Sequence, residues 1–174
     1  MTEQIRLQTA SPADAAKILA LLRLLRVESE MFSVSDDFDH LTVADEANNL
    51  ARINETTDNL VLLAWNGDLP IGIATVARIH EVESAGEVGI AIQKKFWHQG
   101  LGTFMMDELL NWGVEFSSLH QLILTVVTEN TNAIKLYQKM NFEVVQSTKI
   151  KNNQGKFVSA LIMKYDLKKE VRKE

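Results

Sequence analysis

Two glycines, Gly100 and Gly102, stand one residue apart in the segment "WHQGLG", directly before a run of residues with helical apolar spacing. A helix N-terminus carries unpaired backbone N–H groups and a partial positive charge, so it attracts anions. Glycine removes the Cβ that would keep a phosphate group away from that backbone. The pattern predicts an anion site, and the alternative is a tight turn that feeds a helix and binds nothing.

Two familiar nucleotide-binding patterns do not fit this segment. A dinucleotide-binding G-x-G-x-x-G motif needs a third glycine where the chain has Met105. A GKS or GKT motif needs a lysine where the chain has Thr103. An α/β domain that binds NAD or ATP therefore explains the glycines poorly.

The elements that must position these glycines follow the order βααβββαβαββ, which indicates a mixed sheet with helices on its faces. The acidic, patternless residues 33–41 are predicted to form a loop, and an Asn-Gly turn at Asn66 is predicted to join two strands as a hairpin. The predicted strands are 5–10, 59–65, 69–79, 86–92 (a central strand), 121–127 and a closing hairpin of "EVVQSTKI" and "KFVSALIMKY". The predicted helices follow Ser11 and Thr42, run from the glycines to about Phe116, and cover 132–140.

Composition limits the class of protein. With 174 residues, 46% of them hydrophobic and 24% charged, the chain predicts one soluble domain over 1–174, with a charged tail at about 168–174 that frays. A net charge of -5 argues against nucleic acid as a partner. No apolar run reaches the roughly 18 to 20 residues of a membrane span, and the N-terminus shows no export signal. The absence of cysteine fits a cytoplasmic location.

A second motif follows thirty residues after the glycines. The segment "ENTNAIKLYQKMNF" (129–142) resembles the N-x-x-A-x-x-L-Y-x-x-x-G-F pattern of the GCN5-related N-acetyltransferase (GNAT) family, and "WHQGLG" resembles that family's Q/R-x-x-G-x-G/A turn. Two residues depart from the patterns. Trp97 replaces an arginine or glutamine, and Asn141 replaces a glycine, for which asparagine is the best substitute in a left-handed conformation.

The resemblance implies the GNAT fold, in which two central strands splay apart, and acetyl-CoA as acyl donor. It places the donor's pyrophosphate on the backbone of residues 99 to 104 and its pantetheine arm along the central strand. It also implies that Asn130 contacts the pantetheine region, while a helix cap is its alternative and compatible role. The implied donor-binding residues are Ile90, Ile92, Lys94, Gln99, Gly100, Leu101, Gly102, Thr103, Phe104 and Asn130.

Acyl transfer to an amine needs a base, an oxyanion donor and an acid. The resemblance implies Tyr137 as the acid that protonates the departing thiolate, although helical periodicity alone favours a core tyrosine. We expect Glu87 to be the base, because a carboxylate within an apolar central strand is conspicuous. A solvent-facing Glu87 is a nearly equal alternative, and His80, Glu81 and Glu83 are rival bases.

The acceptor amine is the least determined partner. The first two helices and their connection carry many acids, which suits a cationic amine, although a solvated acidic loop is the alternative: Glu28, Glu30, Asp36, Asp37, Asp39, Asp45 and Glu46. The histidines show no metal-ligand spacing, so we expect no metal. A non-catalytic module that binds acyl-CoA is the competing function. The resemblance leaves open a homodimer.

Overall fold

The computed structural model describes residues 4–32, 34–35 and 37–167. The main elements are β1 (Ile5–Thr9), α1 (Ala15–Glu28), α2 (Val43–Asn54), β2 (Leu60–Asn66), β3 (Leu69–Ile79), β4 (Ala85–Ile92), α3 (Leu101–Glu115), β5 (Gln121–Val127), α4 (Thr131–Lys139), β6 (Glu143–Lys151) and β7 (Phe157–Asp166). This order is the predicted one. The charged tail that was predicted to fray lies outside the described residues.

The strands form one sheet in the order β1-β2-β3-β4-β5-β7-β6. Neighbouring strands pair antiparallel except β4 and β5, which run parallel. A parallel pair needs a crossover connection, and α3 supplies it. The structure confirms the predicted mixed sheet.

The one parallel pair is short. β4 and β5 are in register only over Ala85–Gln121, Gly86–Leu122 and Glu87–Ile123, although β4 continues to Ile92 and β5 to Val127. Beyond Glu87 the two strands separate and leave a gap in the middle of the sheet. This gap confirms the splayed central pair that the family resemblance implied.

Helices cover the sheet on both faces, as predicted. On one face Met105, Met106 and Leu109 of α3 are fully buried in a cluster that includes residues of α4 and the central strands. On the other face Ile18 of α1 and Leu50 of α2 belong to a second cluster with β2 and β3. Successive strand residues alternate between these faces, so β2 and β3 contribute buried residues to both clusters.

Two local predictions need correction. Within the predicted loop 33–41, Phe38–His40 form a 3-10 helix, because the Phe38 ring is buried at 2% exposure beneath the guanidinium of Arg26, 5.1 Å from its centroid. In the first hairpin Asn66 pairs with Leu69, so the turn residues are Gly67 and Asp68 rather than Asn66 and Gly67. Gly67 has φ +60, a conformation that glycine adopts readily.

None of the helices in the described part of the chain combines the length and apolar character that a membrane-spanning helix requires.

Replacing Leu122 by alanine tests the larger core. Leu122 lies on β5 at 0% exposure, so Leu122→Ala should lower the free energy of unfolding by about 2 to 5 kcal/mol. Thr125→Ala, on the exposed face of the same strand, is the control and should change it by less than about 0.5 kcal/mol. Urea unfolding measures both, and equal effects of the two substitutions would contradict this assignment of faces.

Candidate active site

A cleft of about 770 Å³ opens beside the gap between β4 and β5. Four parts of the chain line it: residues between 25 and 32 at the end of α1, 90–92 of β4, residues between 96 and 103 around the glycines, and residues between 129 and 137 at the start of α4. The volume lies within the usual range for small-molecule sites, about 300 to 1,000 Å³. The cleft therefore unites the two sequence motifs.

The two glycines serve different structural purposes. Gly100 precedes α3 with φ +80, and nothing within 4 Å would meet a Cβ there, so its backbone conformation is what requires glycine. At Gly102 a Cβ would lie 3.1 Å from Cδ2 of Leu136, so the absence of a side chain lets α3 pack closely on α4. Room for a ligand is therefore only part of the reason why both positions are glycine.

The glycine turn presents unpaired donors. Within the described residues, no acceptor receives a hydrogen bond from the backbone N–H of Leu101, Gly102 or Thr103, while the N–H of Phe104 donates to the carbonyl of Gly100 at 3.1 Å. These three N–H groups form the first turn of a 15-residue helix that starts in the cleft wall. The arrangement suits an anion.

The open edge of β4 supplies further hydrogen-bonding groups. The Gln93 N–H donates to the Ile71 carbonyl at 2.9 Å, which directs the groups of Gln93 toward β3. Because strand residues alternate, the N–H and C=O groups of Ile90 and Ile92 face the gap. The indole Nε1 of Trp97 donates to the Ile92 carbonyl at 2.7 Å, so Trp97 replaces the motif's usual residue with a direct contact to β4.

Tyr137 and Asn130 both line the cleft from α4. Tyr137 is 8% exposed, its ring lies 6.0 Å from the Phe142 ring, and burial raises the pKa of its phenol to about 12. Oδ1 of Asn130 accepts a hydrogen bond from the Ala133 N–H at 3.3 Å, which confirms the helix cap. Asn141 has φ +70, which confirms its left-handed conformation.

Glu87 lies at the fork of the gap. It is the last residue of β4 in register with β5, opposite Ile123, and it is exposed on the face that carries α1 and α2. It is not among the cleft-lining residues, and neither are His80, Glu81 and Glu83, which form an exposed turn before β4. Its role as base stays a prediction.

The remaining donor-binding candidates divide into two groups. Ile90, Ile92, Gly100, Leu101, Gly102, Thr103 and Asn130 line the cleft, whereas Lys94, Gln99 and Phe104 flank it. The Gln99 side chain donates to the Lys95 carbonyl at 3.1 Å, within the turn itself. Phe104 is exposed at the first turn of α3.

The acids of the first two helices and their connection do not lie together in the structure. Glu28 and Glu30 line the cleft, whereas Asp37, Asp45 and Glu46 line a separate depression along α2. Asp39 pairs with Arg26 at 2.8 Å, and Arg26 lowers the pKa of its carboxyl. Burial raises the pKa of Glu46. Asp36 lies outside the described residues. No group of three His, Asp or Glu side chains that would hold a metal ion occurs in the described ranges.

Replacing each glycine by alanine distinguishes the structural purposes of Gly100 and Gly102. Gly100→Ala forces a side chain into the left-handed region and should destabilise the fold by about 1 to 2 kcal/mol. Gly102→Ala meets only the flexible end of Leu136 and gains helix propensity, so it should change stability by less than about 0.5 kcal/mol. Thermal unfolding measures both, and an equal loss in the two variants would show that the φ of Gly100 is unimportant.

The raised pKa of Tyr137 predicts a loss of stability in alkali. The unfolded chain releases this proton near pH 10 and the folded chain near pH 12, so the associated stability is complete below pH 10 and is lost as the pH rises to 12. The free energy of unfolding of the wild type should fall by about 2 to 3 kcal/mol relative to Tyr137→Phe over this range. Urea unfolding at both ends measures it, and a constant difference between the proteins would refute the assignment.

Comparison with known proteins agrees with this geometry. Residues 21–142 match the model of the acetyltransferase (GNAT) family. The chain is similar to the crystal structure of a GNAT-family acetyltransferase from Streptococcus pneumoniae, with a TM-score of 0.86, 28% identity and coverage of 94% of this chain and 99% of that one. A Salmonella typhimurium protein solved with its cofactor acetyl-CoA has a TM-score of 0.73 at 16% identity, with 94% of each chain covered, and shows the shared fold.

A curated relative matches over a shorter stretch. Spermidine N(1)-acetyltransferase of Escherichia coli (strain K12) is 26% identical over 93 residues, which cover 53% of this chain and 50% of that protein. The chain thus spans about half the length of the curated relatives it matches. Because the family model covers most of the chain, including both motifs and the gap between β4 and β5, the chain belongs to the GNAT family of acetyltransferases.

Proposed function

We propose that this protein transfers an acetyl group from acetyl-CoA to a primary amine. The observation that carries the proposal is the gap beside β4, where an unpaired strand edge and an unpaired helix N-terminus line one cleft. Acetyl-CoA can bind to both parts, since its pantetheine arm contains two amides that suit the strand edge and its diphosphate is an anion that suits the helix N-terminus.

The donor would lie along β4 and end at α3. The N–H groups of Leu101, Gly102 and Thr103 would bind the diphosphate. The N–H and C=O groups of Ile90 and the N–H of Ile92 would bind the pantetheine amides as a neighbouring strand does. The side-chain oxygen of Asn130 is engaged in its helix cap. Its amide NH₂ would donate to the pantetheine arm from the opposite wall of the cleft.

The reacting groups would meet at the fork of the gap. Glu87, on the face that carries α1 and α2, would accept a proton from the acceptor's ammonium, whose pKa is about 10.4 for a lysine-like amine. The neutral nitrogen then forms the new N–C bond, and a gap-facing backbone N–H of β4 stabilises the oxyanion. As the carbonyl re-forms and the C–S bond breaks, Tyr137 donates its proton to the sulfur, and the nitrogen of the new amide releases its second proton to water. The phenol carries this proton at neutral pH, since even an unperturbed tyrosine titrates at about pH 10.

We propose a cationic amine as acceptor. Glu28 and Glu30 give one wall of the cleft two carboxylates, which would attract such an amine. The partial match to a spermidine N(1)-acetyltransferase supports the same class.

A module that binds acyl-CoA without catalysis is the second candidate. It would use the glycine turn and the β4 edge equally well, and it would have no use for the cleft-lining phenol of Tyr137. Measuring binding and turnover in the same variants distinguishes the two functions.

The test combines thermal unfolding with an acetylation assay. Acetyl-CoA and CoA at about 100 times their dissociation constants should stabilise the protein by roughly 2.7 kcal/mol, whereas NAD and ATP should not. Tyr137→Phe and Glu87→Gln should keep this stabilisation and lose about 10²- to 10⁴-fold in kcat with a polyamine acceptor. Stabilisation without turnover in the wild type, over a panel of amines, would favour the binding module, and stabilisation by NAD would overturn both.

A further inference from the structure

The end of β4 is held by a carboxylate from α1. Oε2 of Glu28 accepts a hydrogen bond from the backbone N–H of Lys94 at 2.8 Å, across 66 positions of the chain. Lys94 begins the 3-10 helix Lys94–Phe96, which leads directly from β4 to the glycine turn. Glu28 is the last residue of α1, half-buried in the cleft wall.

This contact is a helix cap supplied from a distance. The first N–H groups of a helix have no partner within the helix, and the residue before it usually supplies one. Here Gln93 occupies that position and makes no cap, because its side chain donates to the Pro70 carbonyl at 3.3 Å. Glu28 takes its place.

The contact fixes the backbone between the two parts of the cleft. On one side of Lys94 lie the gap-facing groups of Ile90 and Ile92. On the other side lies the turn, where His98 and Gly100 take positive φ values of 61 and 80. Trp97 reinforces the same junction through its bond to the Ile92 carbonyl. Glu28 thus contacts the backbone segment that links the strand edge to the α3 N-terminus.

We propose that Glu28 is a positioning residue for the acyl donor. It caps Lys94 and holds the β4 edge and the glycine turn at the separation that one donor molecule requires. The proposal rests on the proposed function, because it takes acetyl-CoA as the ligand that spans both parts. It assigns no proton transfer to Glu28.

Two substitutions distinguish positioning from charge. Glu28→Gln keeps a side-chain oxygen that can accept the Lys94 N–H, whereas Glu28→Ala removes it. Both remove one negative charge from the wall of a cleft that binds an anion, which by itself would strengthen binding. Weaker binding in Glu28→Ala alone would therefore arise from the lost cap rather than from the lost charge.

Calorimetric titration with acetyl-CoA, combined with steady-state kinetics, provides the test. Glu28→Ala should raise the Kd and KM for acetyl-CoA about tenfold, equivalent to about 1.4 kcal/mol. Glu28→Gln should bind at least as tightly as the wild type. Glu108→Ala, an exposed carboxylate on α3 that does not line the cleft, is the matched control and should leave the Kd unchanged.

Hydrogen exchange of the Lys94 amide provides a second readout that needs no ligand. Exchange should be slow in the wild type and in Glu28→Gln, and fast in Glu28→Ala. An unchanged Kd in Glu28→Ala, or an unchanged exchange rate at Lys94, would overturn the proposal. A large loss of kcat in Glu28→Gln at unchanged Kd would also overturn it, because it would assign the carboxylate to proton transfer.

Failure of the wild type to bind acetyl-CoA would overturn the proposed function and, with it, the role of Glu28 toward the donor. Fast exchange at Lys94 in Glu28→Ala would in that case still establish the cap. The failure of the proposed function and the failure of the cap are thus separate results.

Discussion

The separation of β4 from β5 leaves backbone groups in the middle of a sheet without the partners that a neighbouring strand provides. Such groups are costly to leave unpaired away from water, so each needs another partner. Trp97 supplies one for the Ile92 carbonyl and Glu28 supplies one for the Lys94 N–H. The edge groups that remain define where a ligand with its own amides can bind.

The separation itself follows from how each central strand is paired on its other side. β4 is in register with β3 along all of its length from Ala85 to Ile92, and β5 with β7 along all of its length from Gln121 to Val127. Each strand therefore follows the twist of its own antiparallel half-sheet. Three register pairs join the two halves, and the gap opens where the halves diverge.

The gap allows the proposed acid and the proposed base to lie on opposite faces of the sheet. Tyr137 packs on the α3–α4 face against Phe142, whereas Glu87 is exposed on the face that carries α1 and α2. A continuous sheet would separate these two faces. Because the sheet is open between β4 and β5, an acid from one face and a base from the other would act on a group held between them.

Much of the fold was predictable because it depends on local pattern. Strand alternation, helix caps and the two motifs gave the element order, the mixed sheet and the left-handed Asn141. The 3-10 helix at Phe38–His40 was missed because the burial of Phe38 against α1 leaves no local signal. The turn at Gly67 was misplaced by one residue, since register depends on the partner strand.

The sequence by itself determined which residue types are available for chemistry: two glycines before a helix, a tyrosine and an asparagine in one motif, and an acid within a central strand. The tertiary structure decided which of them share a cleft and which acids stand at its wall. Glu28 and Lys94 are 66 positions apart, and only the packing of α1 on the sheet brings the carboxylate to that N–H. A contact between distant segments has no period or spacing along the chain, so it appears only when the chain is folded.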